Sequence, residues 1–226
     1  MNKKISFLML MMLLCFIFAG CKKTADITDT EKAAKYVKSI LDVTYQGETD
    51  AYSDLTGTSE KVLTNNYKDG LKIEAAFLAE YYGVKEADEE SIKELSSLCK
   101  DMYKKSDYQI GNVTENNGSY HIEVIIKPVY LLQDCAQKTE EYMSRYNQEL
   151  CDGVYDSMSE TERNKEYLTG IIQILKENLS ETTYGEPVTI DVELKKNDKG
   201  NYFVENSVLM DIDTIMIQYT SQQEQQ

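Results

Sequence analysis

Apolar residues recur along this chain in two rhythms, and the change between them falls at residue 107. Before it the spacing is helical. Thr28 followed by Glu31 has capping-box spacing, and Ala33, Val37, Ile40, Leu41 and Thr44 then predict a first helix ending at Gly47. Residues 59–82 predict a second helix, with Leu63, Tyr67, Leu71, Leu78 and Tyr81 on one side and Gly83 closing it. A third begins near Asp88 and carries Ile92, Leu95, Leu98, Cys99 and Met102 inward. After residue 107 the period drops to two. Residues 108–113 and 119–127 are rich in β-branched and aromatic side chains and flank Asn117-Gly118, a hairpin turn signal. Alternation puts Ile122, Val124 and Ile126 on one face of the second strand and His121, Glu123 and Ile125 on the other, so His121 is expected to face solvent or a groove.

Helical spacing returns after Pro128, through Leu132, Cys135, Ala136, Thr139, Met143, Tyr146, Leu150 and Val154. Ser159 and Glu162 then give a second capping-box spacing ahead of Leu168, Ile171, Ile172, Leu175 and Leu179. Beyond Pro187, Val188, Ile190, Val192 and Leu194 alternate with Thr189, Asp191, Glu193 and Lys195, the pattern of a half-buried strand. The turn at residues 197–200 leads into a strand over 202–210, with one further strand expected over 212–219. Each half of the chain thus runs from helices into a hairpin, and Gly118-Ser119-Tyr120 echoes Gly200-Asn201-Tyr202.

These elements predict an α+β fold, an antiparallel sheet of four or five strands made of two hairpins and packed against about five helices, in one domain over residues 28–219. A disordered tail is expected over 220–226. The element order resembles the cystatin-like or NTF2-like cone, which implies a curved sheet and helices around a pocket.

The opening of the chain reads as an address rather than as fold. Lys3 and Lys4 precede an apolar run over residues 5–19, shorter than the roughly 20 residues that span a bilayer and suited to a signal-peptide core. The run ends in Phe18-Ala19-Gly20-Cys21, which resembles the lipobox of bacterial lipoproteins, with Phe18 where leucine is usual. The resemblance implies a diacylglyceryl group on Cys21, cleavage between Gly20 and Cys21, a signal peptide over 1–20 and a short linker over 21–27. Two or more acyl chains on Cys21 would anchor the protein stably at the extracytoplasmic face of the cell membrane. Ala34-Tyr36-Val37, Leu41-Asp42 and Tyr45-Gln46-Gly47 also resemble the opening helix of uncharacterised small lipoproteins of Gram-positive bacteria.

Charge adds to this picture. The 226 residues hold 39 Asp plus Glu against 24 Lys plus Arg, a net charge of −15, and no basic patch offsets it, so nucleic acid is not an expected partner. Loss of Lys3 and Lys4 with the signal peptide would leave 22 basic residues against 39 acidic ones, a mature charge of −17. Lys22 and Lys23 beside Cys21 could touch anionic headgroups at about 1 kcal/mol each.

Catalytic signatures are absent. His121 is the single histidine, no G-x-S-x-G, H-E-x-x-H, Walker A or G-x-G-x-x-G occurs, and there is no Cys-x-x-Cys, so no cofactor or metal is expected. Cys99, Cys135 and Cys151 read as buried apolar side chains. Cys135 and Cys151 on one helix would stand about 24 Å apart, too far to pair, while Cys99 could reach either. Asp211 and Asp213 have no meaning for catalysis without a cleft. The 17 Tyr against 5 Phe and no Trp suit recognition surfaces, which makes Tyr120 and Tyr202 near the hairpins, with His121, the candidate ligand contacts. The expected function is a lipid-anchored binding or interaction module with an envelope ligand or protein partner. The alternatives are a small cell-envelope hydrolase, which needs two carboxylates with displaced pKa values in a cleft, and a transporter's solute-binding lipoprotein.

Overall fold

The computed structural model describes residues 29–198 and 201–219. The expected signal peptide over 1–20, Cys21, the expected linker, Thr28, Lys199, Gly200 and the expected tail lie outside the described residues.

The first helix, α1 (Thr30–Leu41), starts on Asp29, whose Oδ1 accepts the backbone N–H of Lys32 at 2.8 Å. That cap is one residue later than the spacing of Thr28 and Glu31 predicts. The helix widens into a π-helical turn (Asp42–Gln46) that ends on Gly47 at φ 70°. Next come α2 (Asp50–Thr56), α3 (Glu60–Tyr81) and α4 (Glu89–Tyr103). The caps of the last two, Ser59 and Asp88, accept the N–H groups that the first turn leaves unpaired.

The first hairpin joins β1 (Asp107–Asn116) and β2 (Ser119–Lys127) through Asn117 and Gly118, both at positive φ, as the Asn-Gly pair predicts. A register shift between Ile110 and Val113 bulges β1, and Glu123 Oε2 accepts the N–H of Asn112 there at 3.1 Å. The helical pattern after Pro128 is interrupted. Val129 stays extended and bridges Tyr184 and Ile217, and the helix forms as α5 (Leu131–Asp134) and α6 (Ala136–Cys151), which abut at Cys135. In α7 (Glu160–Asn178) the capping box is present in both directions, with Ser159 Oγ accepting the Glu162 N–H and Glu162 accepting the Ser159 N–H.

The chain returns through β3 (Val188–Lys196) and the short β4 (Tyr202–Val204), giving an antiparallel sheet of order β1-β2-β3-β4. Here the structure corrects two expectations: β4 stops at Val204, and the strand expected over 212–219 is instead the helix α8 (Asn206–Met216). The residues from Ile212 to Ile217 alternate well enough for a strand, but Leu209, Met210, Ile212, Asp213 and Met216 also share one helical face, and packing against the sheet selects that face. The fold class stands as expected, with four strands and eight α-helices among the described residues.

One face of the sheet is covered. Ile122, Val124 and Ile126 of β2, Val192 and Leu194 of β3 and Val204 of β4 are buried beneath α1 and α8. The other face carries Glu123, Thr189, Asp191 and Lys195 to solvent, the hydrophobic-in and polar-out division of a one-sided antiparallel sheet. No helix among the described residues is long and apolar enough to cross a membrane.

Cys99 and Cys135 are buried, whereas Cys151 is exposed, contrary to the sequence reading. Cys151 sits in the last turn of α6, where the α6–α7 pair runs past the core and leaves Val154 60% exposed as well. All three thiols are free.

Candidate functional site

Tyr120 and Tyr202 do come together, but inside the core. Their rings lie 6.2 Å apart, the residues are 4% and 8% exposed, and Lys196 Nζ sits 4.8 Å from the Tyr202 ring centre. Tyr120 is the second residue of β2 and Tyr202 the first of β4, and both are buried on the covered face at one end of the sheet. His121 lies on the open face, with Nδ1 2.9 Å from Asp191 Oδ2 of the neighbouring strand.

An open cleft of about 440 Å³ lies at the other end of the sheet. Three pieces of chain form it: the end of α1 with its π turn, the link from α4 into β1, and Tyr184 ahead of β3. Asp42 is its fixed point. Its carboxylate, 11% exposed, accepts both bonds of the Lys38 ammonium at 2.7 and 2.8 Å and the Tyr108 hydroxyl at 2.8 Å. Burial, with Asp42 as hydrogen-bond acceptor and neighbouring charge, pushes the Tyr108 hydroxyl well above its ordinary range. Tyr184 donates to the Lys105 carbonyl at 2.9 Å, and Lys127 pairs with Asp107 at 2.8 Å.

Within this braced frame some groups are uncommitted. Lys105 makes no ion pair among the described residues, and the buried Oγ of Ser106 has no hydrogen-bond partner. Glu48 is exposed on the rim, and the Tyr184 ring is 42% exposed. A cation, an anion, a hydroxyl and an aromatic face in a cleft of this size suit a polar ligand that presents both charge signs or many hydroxyls. The sequence hides this site because its residues come from three separate segments, at 38–48, 104–108 and 184. The signal that was readable, Tyr108 following an acid at the start of β1, is too common to single out.

A second cluster is closed. Glu74 of α3 and Asp213 of α8 are 4% and 9% exposed and stand in the core with Tyr45, Tyr103 and Tyr219. Glu74 accepts the Tyr219 hydroxyl and also bonds Tyr103, while Asp213 Oδ1 accepts the Tyr45 hydroxyl at 3.3 Å. Burial raises the pKa of both carboxyls. The charge of Glu74 raises Asp213 further, and the tyrosine bonds pull back on each. Among the described residues no buried Lys, Arg or His is present to neutralise them. Asp211, its neighbour in sequence, faces solvent. Glu74 has a legible signal that was missed: an acid three residues after Leu71 and four before Leu78, on the apolar stripe of α3.

A third hollow, mostly apolar and bordered by Val43, Tyr67, Leu71 and Tyr103, holds only about 10 Å³ beside the unpartnered Tyr67 hydroxyl, which burial pushes up to about 12.

The fold and sites define a one-sided α+β protein with an open polar cleft at one sheet end and a closed acid cluster under its helices. The chain belongs to the family described as "Domain of unknown function (DUF5105)", whose model matches residues 21–221. Its fold is similar to that of a candidate lipoprotein, YcdA, from Bacillus subtilis, with a TM-score of 0.54 at 19% identity, covering 82% of this chain and 56% of that one. The chain therefore spans about half the length of YcdA, and the likeness is one of fold. No curated protein matches it.

Proposed function

We propose that this protein is a lipid-anchored extracytoplasmic module that binds a polar envelope ligand in the cleft around Asp42, Lys105 and Tyr184. Three observations support the anchor: the order of charge, apolar run and Phe18-Ala19-Gly20-Cys21, the family match that begins at Cys21, and a fold shared with a candidate lipoprotein. Replacing Cys21 by Ser is expected to move nearly all of the protein from the membrane pellet to the soluble fraction and to abolish labelling with palmitate. A Cys21→Ser protein that stays in the pellet would sink the lipobox reading.

The observation that carries the binding reading is where the cleft lies. Asp29, seen by the Tyr120 hydroxyl, is at the Asn117–Gly118 end of the sheet, and the cleft is at the Asp107 end of β1, where α1 delivers Asp42, roughly 20 Å from Asp29 at 1.5 Å per helical residue. An anchor a few residues before Asp29 would thus turn the cleft away from the membrane and toward the wall. The test is thermal unfolding of the Cys21→Ser chain with wall fragments, oligosaccharides and short peptides added one at a time. At about 100 times its dissociation constant a ligand adds ~2.7 kcal/mol, several degrees in midpoint, and Lys105→Glu and Tyr184→Ala should each remove the shift. No shift across the panel, or one that survives both substitutions, would overturn the assignment to this cleft.

The hydrolase reading has its two carboxylates in Glu74 and Asp213, but three tyrosines close over them, so a substrate could reach them only if the Tyr219 segment swung out. A solute-binding lipoprotein with two lobes of parallel strands is disfavoured by the antiparallel hairpins of the described sheet.

A further inference from the structure

The C-terminal end of the fold is fastened at one acidic point. After α8 the chain passes Val129, which donates its N–H to Met216 at 2.9 Å and accepts that of Gln218 at 3.4 Å, and then reaches Tyr219. Tyr219 is held to α3 by its hydroxyl on Glu74, by its carbonyl accepting the Tyr81 hydroxyl at 2.5 Å, and by an edge contact with Phe77 at 4.7 Å between ring centres. Asp213, on the helix just before, faces the same carboxyl.

We propose that Glu74 and Asp213 form a proton-operated latch, which holds α8 and residues 217–219 against α3 while the pair keeps a proton and lets them part when that proton is lost. Burial of both carboxyls among shared tyrosines supports this coupling. The groups that face the pair from the surrounding elements are Tyr45 on the π turn, Cys99 and Tyr103 on α4, and Tyr219, and every one of them is neutral or acidic. With two carboxylates in one desolvated cluster and no buried cation among the described residues, the doubly ionised state has tyrosine hydroxyls to stabilise it. Of the elements around the cluster, α3 and α4 are long helices bound to each other, while the strap over 217–219 is three residues held by few bonds. The strap is where the strain of ionisation is relieved.

The sign follows from proton counting. Both carboxyls titrate higher in the closed fold than in an opened one, so the closed form binds more protons, and its advantage is complete below the ordinary carboxylate range. It is lost as pH climbs from that range through the raised values. Release of one proton on opening makes the opening constant rise about tenfold per pH unit in that window.

Hydrogen exchange of the full chain, corrected for the intrinsic pH dependence of amide exchange, tests this between about pH 5 and about pH 9. Protection over residues 206–219 should fall by about tenfold per pH unit within part of that range, while protection at Leu168, Ile171 and Leu175 of α7 stays level. Glu74→Gln, and independently Asp213→Asn should the first not fold, is expected to flatten the fall. Constant protection over 206–219 in the native chain would overturn the latch, and so would a slope that persists in both variants. A parallel loss at α7 would overturn it too, because it would report global unfolding.

Discussion

Replacing Leu98 by Ala will lower the stability of the fold by ~3 kcal/mol, read as a fall of about 10 °C in the unfolding midpoint. Leu98 is 0% exposed on α4, the helix that packs along α3 on one side and meets α7 on the other. It belongs to the cluster that runs from Ala33 in α1 to Ile217 beside Val129. Truncation removes apolar area from the core and leaves a void whose lining belongs to separate helices, so collapse around it is only partial. Chemical or thermal unfolding measures the loss. A loss below about 1 kcal/mol would mean that α4 slides to fill the space, and that the cluster is less tightly packed than its burial indicates.

Gly47→Ala will cost a comparable ~3 kcal/mol, for two reasons that can be separated. At φ 70° the residue is left-handed, which strains any side chain by about 1–2 kcal/mol. An added Cβ would also stand 2.6 Å from Cε1 of Tyr67, and displacing that packed ring costs a further ~1–3 kcal/mol. Gly83 supplies the control. Its φ is 91°, but nothing lies within 4 Å of an added Cβ, so Gly83→Ala should show the backbone cost alone. Equal losses at the two sites would show that Tyr67 moves without resistance. The position matters beyond stability, because Gly47 ends the π turn that carries Asp42 and Gln46 into the cleft.

Most of the fold was legible because local signals and tertiary packing agree in it. The capping boxes or caps at Ser159 and Asp88, the Asn117-Gly118 turn and the alternation in β2 and β3 each fix an element within a few residues. Where they failed, two local readings were nearly equal. Residues 212–217 fit a strand or a helix, and only the room left beside β2 and β3 favours α8. Cys151 fits an apolar stripe, yet the stripe runs on past the end of the core. Tyr120 and Tyr202 were legible as a matched pair but not as buried, since a tyrosine beside a turn reads alike whether it faces the core or solvent. The cleft was not legible at all, because Asp42, Lys105 and Tyr184 meet only when α1, the α4–β1 link and the chain before β3 converge.

By itself the sequence determined the α+β class, the two hairpins and which face of the sheet is apolar, since periodicity and turn residues are written in neighbouring positions. Only the tertiary structure decided that Asp213 turns inward to Glu74 while Asp211 meets water, and that one sheet end is closed by tyrosines and the other open as a cleft. The reason is physical: burial and the field of other charges are set by residues distant along the chain, and no local pattern records which of two adjacent acids the fold will desolvate.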